Sequence, residues 1–346
     1  MEQNRNCALD IAKAICIILM VIGHSGCPDY LHRFIYMFHM PCFFFISGYL
    51  LNDKYLTNKK TGLWKKIKGS YYPFIKWSTI FLLLHNVFAY LHIYDASYSL
   101  KEIAIKFVRI LTMTGSEQLW GGFWFLISLC WASIVTIVFF HVHAKGKQTN
   151  YISNVSVLIL LLVMASFWNH LPVKLPSQFG EQTFLATVFY MSGYIYHKIE
   201  SKYTNPTPSL VLFIFPAVTA IFMNLNMDCK STVIPLYYII AICGTVATLQ
   251  LSRCLSYTKI TPLLAYIGDK TLYILTFHFL SFKLVSYVYI KYNHIPLDYL
   301  TQFPVLEITN SRMWILYTLV GISLSLLIWE LVHKMPKYLT ALVHTT

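Results

Sequence analysis

The sequence predicts an all-α protein: a polytopic transmembrane helix bundle of about ten spans, with both termini in the cytoplasm. Three observations carry this. Of the 346 residues, 57% are hydrophobic and only 12% are charged, and the mean hydropathy is +0.56, outside the range of ordinary soluble domains. Apolar runs of about 17–25 residues recur along the chain, the length a helix needs to cross a bilayer. Lys and Arg also gather in alternate loops, as the positive-inside rule requires.

The first run, CALDIAKAICIILMVIGHSG (7–26), is long enough to span, contains Lys13 and lacks a small-residue cleavage site, so it reads as a helix that stays and not as a signal peptide. Further spans are expected near 33–51, 71–94, 120–142, 151–168, 183–199, 209–225, 233–251, 263–290 and 312–333. The ninth is long enough to break or tilt. The sixth and seventh are the least regular, because Pro206, Pro208 and Pro216 crowd their junction and proline interrupts helices. The connections are too short for a soluble domain, so residues 1–346 are expected to form a single integral-membrane domain with no fused soluble domain.

Charge orients the bundle. The N-terminus, the even loops and the C-terminus hold fifteen Lys and Arg, against eight in the odd loops. Most of the net charge of +13 is therefore topology, and a nucleic-acid partner is not expected. The densest cluster is loop 52–70, NDKYLTNKKTGLWKKIKGS. It reads as an anchor for anionic headgroups and also as a cytoplasmic landing site for a phosphorylated donor, since Lys binds phosphate as a point charge. The eight cysteines form no metal-binding pattern and no metal is expected. Only Cys27 and Cys229 are expected outside, where they could pair.

The chemistry concentrates in the first two spans. Lys13 and His24 are eleven positions apart, about three turns and 20°, so they share one helix face about 16 Å apart along the axis. A charge and an imidazole inside a span are costly and mark function by default. Asp10, one turn before Lys13, could pair with it. The second segment, FIYMFHMPCFFFISGYLLNDK (34–54), would bring His39 to a depth similar to His24, so that two imidazoles face one cavity. Pro41 sits near the start of that span, where its missing N–H costs little. Ser47, Gly48 and Tyr49 mark its inner end, where Gly48 allows close helix approach.

These residues resemble the integral-membrane acyltransferase-3 family: a cation and a histidine with ten residues between them in the first span, FHMPCFFFISGY in the second, and ten spans. KKIKGSYYPFIKWS (65–78), FWFLISL (123–129), FYMSGYIYHK (189–198) and YIGDKTLYILTFHF (266–279) are similar to later family segments. The short form with FHMP resembles the fucose 4-O-acetylase-like subgroup. Lys13 stands where Arg is commoner, which keeps the charge and loses the bidentate fork.

The resemblance implies a multi-pass membrane O-acyltransferase of the bacterial inner membrane. It would use acetyl-CoA as donor substrate and a cell-surface or lipid-linked glycan as acceptor. His24 would act as general base or as a transient acyl acceptor, and Lys13 would assist donor binding. Substrate-binding roles are expected for Asp10, His39, Ser47, Trp124 and His278. Asp269 reads as the N-cap of a following helix, and Glu330 as a paired or interfacial group. His85, His141 and His143 have no evident partner.

The second function these features fit is a transporter or flippase of a glycan or an acylated sugar, with His24 as proton relay. FFFISGYLLNDK and VFYMSGYIYHK do look alike, but both precede even loops, so they would be parallel repeats rather than the inverted ones common in carriers. Transport would leave the sugar chemically unchanged, which separates the two functions.

Overall fold

A computed structural model describes residues 6–115, 117–144, 151–167, 179–200, 209–309 and 312–343. All regular elements among them are helical. Five helices are long and apolar enough to cross a membrane: Cys7–His24, Gln118–Phe140, Ile234–Leu255, Thr271–Tyr292 and Met313–His333. Val155–Phe167 and Leu210–Phe222 are shorter apolar helices. Large apolar side chains face outward, Phe222 at 79% and Leu319 at 61% exposure among them, as a lipid-facing surface requires.

Helix α1 (Cys7–His24) begins at Asn6, whose side chain accepts from Leu9 N, a polar N-cap. It is central: Ile11, Ala12, Ala14, Cys16 and Val21 are wholly buried. Ser25 and Gly26 end it, Gly26 with φ +78°, a conformation glycine adopts without cost.

The second expected span is two helices, α2 (Asp29–Tyr36) and α3 (His39–Tyr49). The cause is Pro41. It has no N–H for the carbonyl of Met37, four residues back, and its ring would crowd that carbonyl. The helix therefore ends at Tyr36, with Met37 as its cap, and restarts after Phe38. The third expected span is also interrupted. Helix α4 (Lys59–Lys66) passes through a π-helical turn, Ile67–Tyr71, into α5 (Tyr72–Leu83), and a kink at Leu84 separates a short helix, His85–Tyr90. The following segment, expected as a loop, contains α6 (Leu100–Leu111), opened by a capping box between Ser99 and Glu102. Tyr71 Oη donates to Leu111 O at 2.8 Å, so α6 folds back along α5.

A 3₁₀ turn, Gln118–Phe123, leads into α7 (Trp124–Ala144), followed by α8 (Tyr151–Phe167) and α9 (Glu181–Glu200). The seventh expected span is only a 3₁₀ turn and α10 (Ile214–Phe222), with Pro216 in its first turn. Helix α11 (Ile234–Leu255) matches the eighth. The ninth breaks at Lys270 into α12 (Thr261–Asp269) and α13 (Thr271–Tyr292). Asp269 is thus the last residue of α12 and not an N-cap; Lys270 takes that position, and its ammonium bonds the Asp269 carboxylate at 2.5 Å. Helix α14 (Met313–Val343) closes the chain. Glu330 on it accepts from Tyr266 Oη at 2.6 Å, the paired state expected. Arg5, Lys145, Lys147, Lys174 and Lys202, with Pro206 and Pro208, lie outside the described residues, as do the side chains of His141, His143, Lys334 and Lys337.

The two similar segments meet. Gly48 of α3 lies against the Tyr190 carbonyl of α9, and Gly193 of α9 against the Phe45 carbonyl of α3; a methyl group at either would collide with backbone. Further along, Tyr194 Oη and Lys198 Nζ both donate to Asp53, at 3.1 and 2.5 Å. From Gly193 against Phe45 to Lys198 at Asp53 the contacts advance in the same direction along both segments, so the helices run parallel. Small residues permit such close backbone approach inside a membrane. The same device joins α1 to α12, where Gly268 rests on the Asp10 carbonyl.

Candidate active site

A cavity of about 180 Å³ opens where α1, α2 and α3 converge. Met20 and His24 come from α1, Tyr36 from α2, and His39 and Met40 from α3. Gly122 of the 3₁₀ turn, Trp124 at the start of α7 and Leu275 of α13 line another wall. Gln182 of α9 and the loop residues Asn226 and Asp228 form its polar rim. Tyr36 and His39, three residues apart on either side of the break at Met37–Phe38, both reach this cavity.

The His24 ring meets three others. Its Nδ1 lies 3.2 Å from the Tyr36 hydroxyl. The His278 ring stacks on it with centroids 5.5 Å apart, and Phe279 lies at 5.0 Å. His39 is 2% exposed, and its Nδ1–H donates to Ile35 O at 2.8 Å. His278 is wholly buried, and its Nδ1–H is shared between Ile274 O and Leu275 O, each at 3.0 Å. A carbonyl can only accept, so Nδ1 carries the proton in both rings, and a neutral ring then presents a lone pair at Nε2. The His278 Nε2 has no hydrogen-bond partner among the described residues, a costly state inside a protein.

The expected residues fall into three groups. His24, His39 and Trp124 line the cavity, and His278 stacks directly behind His24. Lys13 does not line it; its ammonium pairs with the Asp10 carboxylate at 2.6 Å, the pairing expected for a cation within a span. Ser47 also lies elsewhere, its hydroxyl turned back onto Phe43 O at 2.8 Å.

Ser47 lines a second cavity, of about 240 Å³, near the Lys-rich end of the bundle, with Lys65, Lys66, Ser70, Ser133 and Tyr190. Lys66 Nζ stands 5.4 Å above the Tyr190 ring, a cation–π distance. Burial, together with the neighbouring Lys65 charge, pushes the Lys66 ammonium down to about 8. Lys65 Nζ donates to Tyr55 Oη at 2.5 Å.

Sequence reasoning missed Tyr36, Gln182, Asn226 and Asp228, and left His85 without a partner. His85 Nδ1 lies 3.3 Å from the Glu117 carboxylate, which also pairs with Lys106 at 3.1 Å. The spacing of Tyr36 before His39 was a usable signal. The others depend on loops closing over a distance no local pattern records. Cys27 and Cys229, which could have paired, are both free thiols.

Comparison with known proteins gives this geometry a context. The acyltransferase-3 family model, described as an acyltransferase domain, matches residues 6–330. The chain is 29% identical over 155 residues to the nodulation protein NolL of Mesorhizobium japonicum, covering 40% of this chain and 36% of that protein. The chain thus spans little more than a third of the length of the curated relative it matches. No solved structure matches.

Proposed function

This chain belongs to the acyltransferase-3 family, and from that premise we propose that it moves an acyl group, acetyl by default, from cytoplasmic acyl-CoA to a hydroxyl of a cell-surface or lipid-linked glycan. The bacterial inner membrane is the setting this chemistry needs. The observation that carries the reading is His24 in one cavity with His39, its Nδ1 beside the Tyr36 hydroxyl.

In the reaction, the His24 Nε2 takes the proton of the acceptor hydroxyl as its oxygen attacks the thioester carbonyl. The C–O bond forms, the C–S bond breaks, and the imidazolium returns the proton to the leaving thiolate. The base role uses the tautomer in which Nδ1–H donates to Tyr36 Oη, a direction that the hydroxyl, able to donate or accept, permits. General base catalysis of this kind is worth about 10²–10⁴-fold. His39 and Trp124 bound the acceptor, and His278 backs His24 from behind.

The Lys-lined second cavity supports a donor site for the phosphates of the CoA moiety, with Ser47 on its wall. Lys13, held by Asp10 three turns below His24, assists the donor at the level between. The test is transfer of labelled acetyl from acetyl-CoA, in membranes containing this chain, onto extracted surface glycans and lipid-linked sugars. The expected result is an alkali-labile ester on a glycan that disappears with His24→Ala and weakens with Lys13→Ala. Label retained in His24→Ala removes His24 from the chemistry. Acceptor movement into vesicles without any ester favours a transporter.

A further inference from the structure

The rim of the histidine cavity carries a polar group that no catalytic role absorbs. Gln182, at the start of α9, donates its side-chain N–H to the Asp228 carboxylate. Asn226 Oδ1 accepts from Asp228 N at 2.7 Å, and Cys229 N donates to Asn226 O at 3.1 Å, so the loop is wound tightly about these two side chains. Among the described residues, each has valences left over. Gln182 keeps its carbonyl oxygen and a second N–H, Asn226 keeps its whole amide nitrogen, and Asp228 keeps its second carboxylate oxygen.

Donors and acceptors alternating around a small opening match adjacent hydroxyls of a sugar ring, each of which both donates and accepts. The Tyr36 and Trp124 rings on the neighbouring walls supply the flat apolar faces against which a pyranose C–H face packs.

Charge narrows the class. Among the described residues, Asp228 is the one charged side chain lining the cavity, and no Lys or Arg lines it. Arg33, on the same helix as Tyr36, is tied to Asp29 at 2.5 Å. A uronic acid or a phosphorylated sugar would bring a second negative charge beside the Asp228 carboxylate with no cation to offset it.

We propose that Gln182, Asn226 and Asp228 form the acceptor subsite of this cavity and that it takes the hydroxyl-bearing face of an uncharged sugar. This rests on the acyl-transfer reading above. The three side chains bind and orient the acceptor, and Asp228 rejects anionic sugars.

The test uses the full chain in membranes, labelled acetyl-CoA and extracted envelope glycans. The labelled glycan is digested enzymatically to single sugars with its esters intact and separated by anion exchange. Label in the neutral fraction is expected, and label in the acidic fraction overturns the proposal. Asp228→Asn and Gln182→Ala are then compared with the unaltered protein. Each is expected to raise the half-saturating glycan concentration at least tenfold while leaving the half-saturating acetyl-CoA concentration within twofold, which also shows that the variant is folded. An unchanged glycan dependence in both variants, or a changed acetyl-CoA dependence, removes the subsite. Absence of any ester from the unaltered protein overturns the acyl-transfer reading itself, and this proposal with it.

Discussion

The Tyr36 hydroxyl stands 3.2 Å from His24 Nδ1, and this pair joins α1 to α2, the short helix that the break before Pro41 separates from α3. A histidine held at one ring nitrogen has its tautomer and its direction fixed at the other. Tyr36→Phe keeps the ring and removes the bond. A lost hydrogen bond that leaves a buried group unsatisfied costs about 1–3 kcal/mol, so the turnover rate should fall about 10–100-fold with the half-saturating acetyl-CoA concentration unchanged. Steady-state acetyl transfer measures both; an equal fall in donor affinity would place Tyr36 at the donor instead.

Lys66 supplies a pH dependence. Its ammonium titrates at about 8, so it is charged below that pH and neutral above it. If it holds a donor phosphate, attraction is present below about pH 8 and is lost as the pH rises through it. The half-saturating acetyl-CoA concentration should climb between about pH 7 and 9. Lys66→Arg, which stays protonated, should flatten the climb and keep affinity high, and Lys66→Met should flatten it at low affinity. A climb that persists in Lys66→Met assigns the titration to another group.

Lys283 is 2% exposed and caps three successive carbonyls, those of Leu300, Thr301 and Gln302, at 2.7, 3.2 and 2.7 Å. The loop it holds carries Phe303, whose ring lies 4.6 Å from Phe279, beside the His24 site. Hydrogen bonds to a charged group are worth about 1.5–3 kcal/mol. Lys283→Met should therefore lower the melting temperature and speed amide exchange at 298–303 more than elsewhere. Uniform change along the chain would mean the Lys283 contacts do not localise to this loop.

Gly48 and Gly193 set the distance between α3 and α9. Gly48→Val should cost about 1–3 kcal/mol as the helices are forced apart, and Gly193→Val a similar amount. The double variant should cost less than the sum, because one separation relieves both collisions. Thermal unfolding in detergent checks this; strict additivity would mean that the two glycines act at separate contacts.

Much of the architecture was legible in the chain. Apolar runs located the five long spans, because a bilayer demands unbroken apolar length and in lipid a helix satisfies its own backbone. Where the expected spans broke, the cause was local in two cases, Pro41 in the second and Pro216 in the seventh. The kink at Leu84 and the fold-back of Leu100–Leu111 along Tyr72–Leu83 had no comparable mark.

For the site, the sequence by itself determined the cation and imidazole on one face of α1, the second histidine beyond it, and a family whose model covers residues 6–330. Helical periodicity fixes which residues share a face, so the pairing of Asp10 with Lys13 also followed from spacing. The tertiary structure alone decided that Lys13 and Ser47 lie away from the histidine cavity, that His278 stacks on His24 from 254 positions further along the chain, and that Gln182 and Asp228 close the rim. Those relations arise where helices cross. A crossing is set by glycine contacts and loop closure between distant segments, which no periodicity within a single segment encodes.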